Sequence, residues 1–179
     1  MKVLIILAFC FLTLFAKENP YKSAVLYYQL KNYKKACEIG IKNIINNEAF
    51  LSLVGDACAK ENEIDALGKI IPFLKSSKEY RENRSYFSTL LLQKSLLLEF
   101  MADETDISYL KLPKTPHILS KIFQKIADKK FKIVSLKPKI IEITAKDRRF
   151  TLSISKRDPY MLVIKEYMGD VLTKRYRIE

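Results

Sequence analysis

Glycine is scarce in this sequence and tryptophan is absent. Only 4 of its 179 residues are glycine, and none is tryptophan. Loops that cradle phosphate groups need several glycines at short spacing, and the sequence has no such loop. Scarce glycine therefore argues against a nucleotide-binding fold and favours a chain that is rich in helices.

Histidine is scarcer still, which limits the catalytic chemistry that the chain can perform. A Ser–His–carboxylate or Cys–His site would have to use His117, the only histidine. It follows Pro116 at an expected helix start, and no other feature of the sequence points to it. We therefore predict that the protein is not an enzyme and needs no cofactor.

Metal-binding patterns are also missing from the sequence. Asp103, Glu104 and Asp106 form an acidic cluster, but it lacks the glycine and the bidentate glutamate of a calcium loop. The cysteines lack the close pairing of zinc ligands. A solvated acidic loop without a metal is the expectation.

The N-terminus has the pattern of an export signal. Lys2 precedes an apolar run from Val3 to Phe15, and Ala16 then supplies a small residue before a polar stretch. A bilayer-spanning helix needs about 20 apolar residues, so this run is short for one. We predict cleavage after Ala16 and a periplasmic mature protein. Because Leu14, which is not small, is the third residue before that cut, retention as a membrane anchor and burial as an N-terminal helix stay open.

Two cysteines, Cys37 and Cys58, would remain after that cleavage. Two thiols in an oxidising compartment predict one disulfide. Two buried free thiols on helices are the alternative, because a sequence does not show whether two Cα atoms come within bridging distance.

The chain is strongly basic, with a formal net charge of +12. A basic exported protein can face acidic proteins, anionic lipid headgroups or polyanionic wall polymers, whereas nucleic acid fits poorly with export. The candidates for a basic docking face are Arg148, Arg149, Lys156, Arg157, Lys174, Arg175 and Arg177. A solvated face that blocks edge-to-edge pairing of sheets is the alternative.

Apolar residues recur at intervals of three and four between Tyr21 and about Met101, which predicts helices. We expect four helices up to residue 74, separated at Asn32, at residues 46–47 and at residues 61–62. The fourth helix is expected over residues 64–74, where Pro72 would kink or end it.

The next segment is expected to begin with a linker and to continue with two more helices. Residues 76–83 are polar and charged, and a long apolar helix follows over residues 85–101. Thr115 is a plausible N-cap, with Pro116 at the first helical position, for a short helix that ends near Ala127.

A residue pattern recurs within the first helices. Ala24, Tyr27, Tyr33 and Ala36 are followed 31 positions later by Gly55, Cys58, Ile64 and Leu67. The stretches AVLYYQLKNYKKACEIGIKNI and AFLSLVGDACAKENEIDALGKI resemble tetratricopeptide or Sel1-like helical repeats, as two degenerate units over about residues 21–75. Gly40 departs from the pattern, because that position is usually aromatic. A plain antiparallel helical bundle is the alternative.

The resemblance implies a protein that binds other proteins. Helical repeats present a concave groove to extended segments of their partners, and Tyr27, Tyr28 and Tyr33 are the candidates to line it. Such repeats often serve as scaffolds in envelope machines. By analogy alone, the periplasmic scaffold of the flagellar motor is one machine that such a protein would fit.

The apolar period changes from 3.6 to 2 after Lys130, which predicts strands. We expect a segregated α+β chain, in which antiparallel helical-repeat hairpins precede an antiparallel β-meander of four or so strands. The expected divisions are a signal peptide over 1–16, a helical-repeat domain over 17–102, a loop and short helix over 103–129, and a β-sheet domain over 130–179.

Two functions remain open on this basis. The first is a periplasmic adaptor or scaffold that contacts envelope proteins through its helical-repeat surface. The second is a membrane- or wall-associated binding module that uses the basic face of the sheet. Salt separates them, because screening weakens binding that is driven by charge.

Overall fold

The computed structural model of the chain describes residues 19–155 and 161–179. The expected signal peptide lies outside the described residues, and so do Lys156 and Arg157 of the basic set. Within the described ranges, no helix combines the length and the apolar character that crossing a membrane requires.

Five α-helices occupy the described chain between residues 19 and 127. They are α1 (Pro20–Gln29), α2 (Tyr33–Lys42), α3 (Glu48–Glu61), α4 (Lys78–Asp103) and α5 (Ile118–Ala127). α1 and α2 form a hairpin, α2 packs on α3, and α3 packs on both α1 and α4. The helices α1, α3 and α4 therefore lie side by side.

Asparagine and serine side chains fix where the first four of these helices begin. Asn32 accepts a hydrogen bond from the backbone N–H of Lys35, and Asn47 accepts one from Phe50. Such N-caps satisfy N–H groups that have no partner inside the helix. The polar breaks expected at Asn32 and at residues 46–47 are thus the capping positions of α2 and α3.

The expected fourth helix is a correction. Residues 64–74 form two short 3-10 segments, Asp65–Lys69 and Ile71–Phe73, in place of one α-helix. Pro72 has no backbone N–H and disfavours helical backbone at the residue before it, which prevents a continuous helix here. The second stretch that resembles a repeat therefore has one α-helix, α3, where the first has two.

The expected linker is a second correction. α4 begins at Lys78, where the Ser77 side chain accepts a hydrogen bond from the Tyr80 N–H, so most of residues 76–83 are helical. The polar residues there lie on the exposed side of the first turns. Their polarity records contact with water and not an absence of helix.

The start of the short helix is a third correction. α5 is capped by His117, two residues after the expected Thr115, and its first residue is Ile118. Thr115 instead donates its N–H to the Ser120 hydroxyl oxygen at 3.0 Å. Pro116 consequently lies before the helix.

The C-terminal part is a five-stranded antiparallel meander, in the order in which the strands follow one another along the chain. Its strands are β1 (Lys132–Leu136), β2 (Lys139–Ala145), β3 (Arg148–Ser155), β4 (Met161–Met168) and β5 (Val171–Ile178). Together with the helices before it, this sheet makes the chain a segregated α+β protein, as the sequence predicts.

Helices and sheet share one hydrophobic core. Leu90 and Leu97 of α4 belong to the same buried cluster as Leu152 and Ile164 of the sheet. Backbone hydrogen bonds close the contact at the C-terminus, where Glu179 accepts from the N–H groups of residues 64 and 65 and donates to the carbonyl of residue 62. The sheet is therefore fastened directly to the turn that follows α3.

Candidate functional site

The two predicted disulfide partners lie on neighbouring helices. Cys37 of α2 and Cys58 of α3 are bonded, with Cα atoms 4.9 Å apart, and both are buried. The bond links the first hairpin to the next helix in the chain. It therefore holds together the helices that carry the candidate groove residues.

Tyr28 and Tyr33 belong to one cluster with two charged residues of α3. The Tyr28 hydroxyl donates to Asp56 Oδ2 at 2.5 Å, and its ring meets the Tyr33 ring edge to face at 5.4 Å between centroids. The Lys60 ammonium lies over both rings and 2.5 Å from Asp56 Oδ2. Burial, and then the hydrogen bond to Asp56, raise the pKa of Tyr28, so its hydroxyl stays protonated at neutral pH.

This cluster forms one wall of a groove that crosses α1, α3 and α4, which we call the tyrosine groove. Its volume is about 330 Å³, and its lining includes Tyr28, Ser52, Asp56, Asn83 and Tyr86. The Asn83 amide donates to the Ser52 hydroxyl at 3.0 Å. Of the three candidate tyrosines only Tyr28 lines the groove itself. Tyr33 packs behind it, and Tyr27 lies under Lys35.

The described members of the basic set lie on two faces of the sheet. Phe150 and Ile178 are buried against the helices, and side chains alternate along a strand. Arg148 and Lys174 therefore point to this inner face. The other three described members, Arg149, Arg175 and Arg177, point to the opposite, outer face.

One of the outer-face residues is neutralised by its neighbours. Arg149 pairs with Glu142 at 3.2 Å, lies near Asp170, and stacks over the Tyr167 ring at 4.4 Å. Three other cations form a cationic patch on the outer face: Lys165, Arg175 and Arg177. Lys165 of β4 lies opposite Arg175 in the sheet register, and Arg177 lies two residues further along β5. None of these three has an ion pair among the described residues.

The inner-face residues line a second and larger cavity, which we call the cationic cleft. It has a volume of about 990 Å³ and lies between the end of α3, the start of α5 and the inner face of β2 to β5. Seven cationic and three acidic residues line it, although the side chain of one of the cations, Arg175, points to the outer face. The cations are Lys60, Lys121, Lys125, Lys146, Arg148, Lys174 and Arg175, and the acids are Glu61, Asp147 and Glu166.

The buried acid of the cleft is fully engaged. Glu166 accepts hydrogen bonds from the Tyr176 hydroxyl at 2.8 Å and from Arg148. Burial alone would raise the pKa of Glu166, but the hydrogen bonds from Tyr176 and Arg148 outweigh it and lower that pKa. Burial and the same contact with Glu166 raise the pKa of Tyr176 to about 12.

His117 has a structural role at the edge of the same cleft. Its Nδ1 accepts a hydrogen bond from the Leu119 N–H at 3.2 Å, and its Nε2 lies 3.0 Å from the Ala59 carbonyl oxygen, to which it donates. Burial lowers the pKa of His117, which favours the neutral ring that both contacts require. Both ring nitrogens are occupied, so neither is available to a nucleophile.

Of the acidic cluster, Asp103 is the last residue of α4, Glu104 is its C-cap, and Asp106 lies in the segment that follows. Asp106 accepts a hydrogen bond from the Ser108 N–H at 2.8 Å and lies 3.5 Å from the Lys129 ammonium. Across the described ranges, no three histidine, cysteine or acidic side chains come together in a way that could hold a metal ion.

Sequence reasoning missed several residues of both surfaces. Asp56 and Lys60 are four residues apart on α3, a spacing that places them on one helix face, and Lys121 and Lys125 repeat that spacing on α5. Glu166 stands in an apolar strand, where a buried acid has no distinguishing sequence signal.

No family model, no curated protein and no solved structure matches the chain.

Proposed function

We propose that the protein is an exported adaptor that acts by protein–protein contact through its helical part. The observation that carries this proposal is the tyrosine groove, which crosses three helices lying side by side. A groove of that construction can bind an extended segment of a partner without any reactive residue. Envelope proteins are its proposed partners, and the flagellar motor remains one analogy for such an assembly.

The chemistry of the groove suits an extended peptide. Asn83 can both donate to and accept from a peptide backbone, while Tyr28 and Tyr86 offer flat apolar surface with a polar tip. Tyrosine and asparagine contribute contact area and hydrogen bonds at low cost in side-chain entropy. The cluster of Tyr28, Asp56 and Lys60 holds one wall in place before a partner binds.

Export is supported by two independent features. The N-terminal pattern is that of a signal peptide, and the bonded pair Cys37 and Cys58 suits an oxidising compartment. N-terminal sequencing of the protein taken from its native envelope tests this part, and a mature chain that begins at Lys17 is the expected result. A chain that still begins with Met1 would favour a retained anchor.

Site-specific photocrosslinking in the native cell tests the groove. A photoreactive side chain replaces Ala49, an exposed residue that lines the groove, or Lys42, an exposed residue on α2. The adaptor proposal expects one or a few crosslinked envelope proteins from position 49 that are missing from position 42. The same products from both positions, or none from position 49, would count against it.

A second function is favoured by the cationic patch of Lys165, Arg175 and Arg177. Three neighbouring cations without an acid can dock on an anionic lipid or wall surface. Sedimentation with anionic vesicles and with purified cell wall, at low and at high salt, tests it. Binding that salt abolishes, and that Arg175→Gln weakens, would support it, whereas binding to neither surface at low salt would remove it.

A further inference from the structure

We propose that the cationic cleft is a second binding site, and that it takes an acidic segment of a partner protein that also carries apolar side chains. This site is separate from the tyrosine groove and goes beyond the adaptor function proposed above. Four observations carry it: the excess of positive charge, the internal neutralisation of the buried acid, the apolar floor, and the placement of the cations.

The excess charge of the cleft is available to a ligand. Lys60 is paired with Asp56, and Arg148 is paired with Glu166. Four cations that point to the cleft remain without an ion pair in the described part of the chain: Lys121, Lys125, Lys146 and Lys174. Because like charges gathered in a concave, partly desolvated site repel one another, an anionic occupant gains more there than on a flat surface.

The buried acid of the cleft does not oppose such a ligand. Glu166 is 5% exposed, and hydrogen bonds from Arg148 and Tyr176 compensate its charge. Of the other two lining acids, Glu61 is the last residue of α3 and Asp147 lies in the turn between β2 and β3. Even with Arg175 left out, six lining cations outnumber three acids, so the lining carries a net positive charge.

The floor of the cleft is apolar. Ile122, Ile143 and Phe150 form it and are at least nine-tenths buried, so they offer a ligand little further surface to cover. Ile118 of α5, Ala145 of β2 and Tyr176 of β5 also line the cleft and are partly exposed. An apolar side chain that covers these three residues removes apolar surface from water, at roughly 25 cal/mol per Å². A ligand that is anionic and partly apolar gains from both features, whereas a simple polyanion gains from one.

The placement of the cations favours an extended ligand over a compact one. Lys121 and Lys125 lie one turn apart on α5, Lys146 is in the turn between β2 and β3, and Lys174 is on β5. These four cations come from a helix, a turn and a strand, so an extended segment can contact more of them than a single phosphate group can. A flat bilayer cannot reach the floor of a cleft, so a protein segment is the occupant that fits.

Two separate binding surfaces would let one chain join two partners. Lys60 is the residue that both surfaces share, since it packs on Tyr28 at the groove and also lines the cleft. Lys60 does not line the groove itself, and substitutions at Lys121 and Lys125 leave it in place, so the two sites can be tested apart.

Fluorescence anisotropy with synthetic peptides tests the proposal on the mature protein. The probe is a labelled peptide that alternates Glu and Leu, and its controls replace every Glu by Gln or every Leu by Ser. Anionic vesicles and inorganic phosphate serve as competitors. The matched protein variants are Lys121→Gln/Lys125→Gln in the cleft and Lys22→Gln/Lys42→Gln on the exposed surface of α1 and α2.

The Glu–Leu peptide is expected to bind, and both control peptides are expected to bind more weakly. The cleft double variant should weaken binding by about tenfold, because two charge-assisted contacts are lost, while the surface double variant should change it little. The proposal would be overturned if the Glu–Leu peptide did not bind, or if both double variants lost the same amount of binding. It would also be overturned if the Leu and Ser peptides bound equally, or if phosphate or vesicles alone displaced the peptide. Asn83→Ala in the groove should leave this binding intact, so failure here does not imply failure of the adaptor function.

Discussion

The Lys60 ammonium lies 2.5 Å from Asp56 Oδ2, one turn away on α3. The same carboxylate oxygen accepts the Tyr28 hydroxyl, and Lys60 covers the rings of Tyr28 and Tyr33. Two charges on α3 thus hold two tyrosines of the first hairpin. The contact fixes the wall of the tyrosine groove across two elements that are distant in the sequence.

Replacing Asp56 by Asn should lower the pKa of Tyr28. Burial and the hydrogen bond to the Asp56 carboxylate both raise that pKa, and an amide is a weaker acceptor without charge. Stability should change by less than about 1 kcal/mol, because the Asp56–Lys60 pair is partly exposed. Ultraviolet titration of tyrosine measures the shift, with Tyr28→Phe to assign the signal. An unchanged titration of Tyr28 in Asp56→Asn would show that the hydrogen bond is not formed in solution.

Removing the disulfide should destabilise the helical part. Cys37→Ala/Cys58→Ala opens a link across 21 residues, and loops of that length contribute about 3 kcal/mol through the entropy of the unfolded chain. Urea unfolding with and without a reductant measures the change. The reductant should lower the wild-type midpoint and leave that of the double variant in place. Two thiols that react freely in protein taken from its own compartment would contradict the bond.

Enlarging Gly55 should disturb the packing of α3 on α4. A Cβ atom at Gly55 would lie 2.4 Å from the ring of Phe87, which is buried, so the ring would have to shift. We expect Gly55→Ala to lower the free energy of unfolding by about 1–3 kcal/mol, despite the better helix propensity of alanine. Gly68→Ala is the matched control, since its nearest neighbouring atom is 3.9 Å away. Equal free energies of unfolding for Gly55→Ala and Gly68→Ala would show that α3 and α4 do not approach this closely at Gly55.

His117 should make stability fall as the pH drops. Its pKa is lowered in the folded protein, so below about pH 6.5 the unfolded chain binds a proton that the folded chain resists. Stability is therefore present above that pH and is lost as the pH falls towards the folded-state pKa. Asn at this position can still cap α5 but does not titrate, so His117→Asn should show a smaller loss of stability between about pH 7 and about pH 5.

The alanine variant at His117 isolates the capping role. His117→Ala should cost about 1 kcal/mol at neutral pH, because the Leu119 N–H loses its acceptor. Urea unfolding at both pH values compares the three proteins. Identical pH profiles for the wild type and His117→Asn would exclude the neutral histidine cap.

The sequence predicts the fold more completely than the binding surfaces, for physical reasons. Alternation in β3 and capping residues such as Asn32 and Asn47 are local signals, and they locate strands and helix starts. The 3-10 segments around Pro72 and the early start of α4 at Lys78 depend on tertiary packing. A polar stretch looks the same in the sequence whether it is a loop or the exposed face of a helix. The basic residues illustrate the same limit, because alternation separates Arg148 from Arg149 but does not show which of the two faces packs against the helices.

The cationic cleft is the feature that sequence patterns predict least. Lys121 and Lys146 are distant in the chain, and they meet at one rim only because α5 lies beside the turn between β2 and β3. Glu166 is an acid among apolar residues, and only the fold brings Tyr176 and Arg148 to it.

Binding of a partner in the tyrosine groove is best tested by measuring how much of that partner a groove variant still recovers. Three tagged proteins are compared: the wild type, Asn83→Ala and Asn46→Ala. The measurement is how much each recovers, from the envelope, of the partner that crosslinks at position 49. Asn83 lines the groove, whereas Asn46 is an exposed residue outside it, so the two variants match in chemistry and differ in place. We expect Asn83→Ala to recover much less partner, and Asn46→Ala to recover as much as the wild type. Full recovery by Asn83→Ala, in protein that remains folded, would show that the groove does not bind the partner.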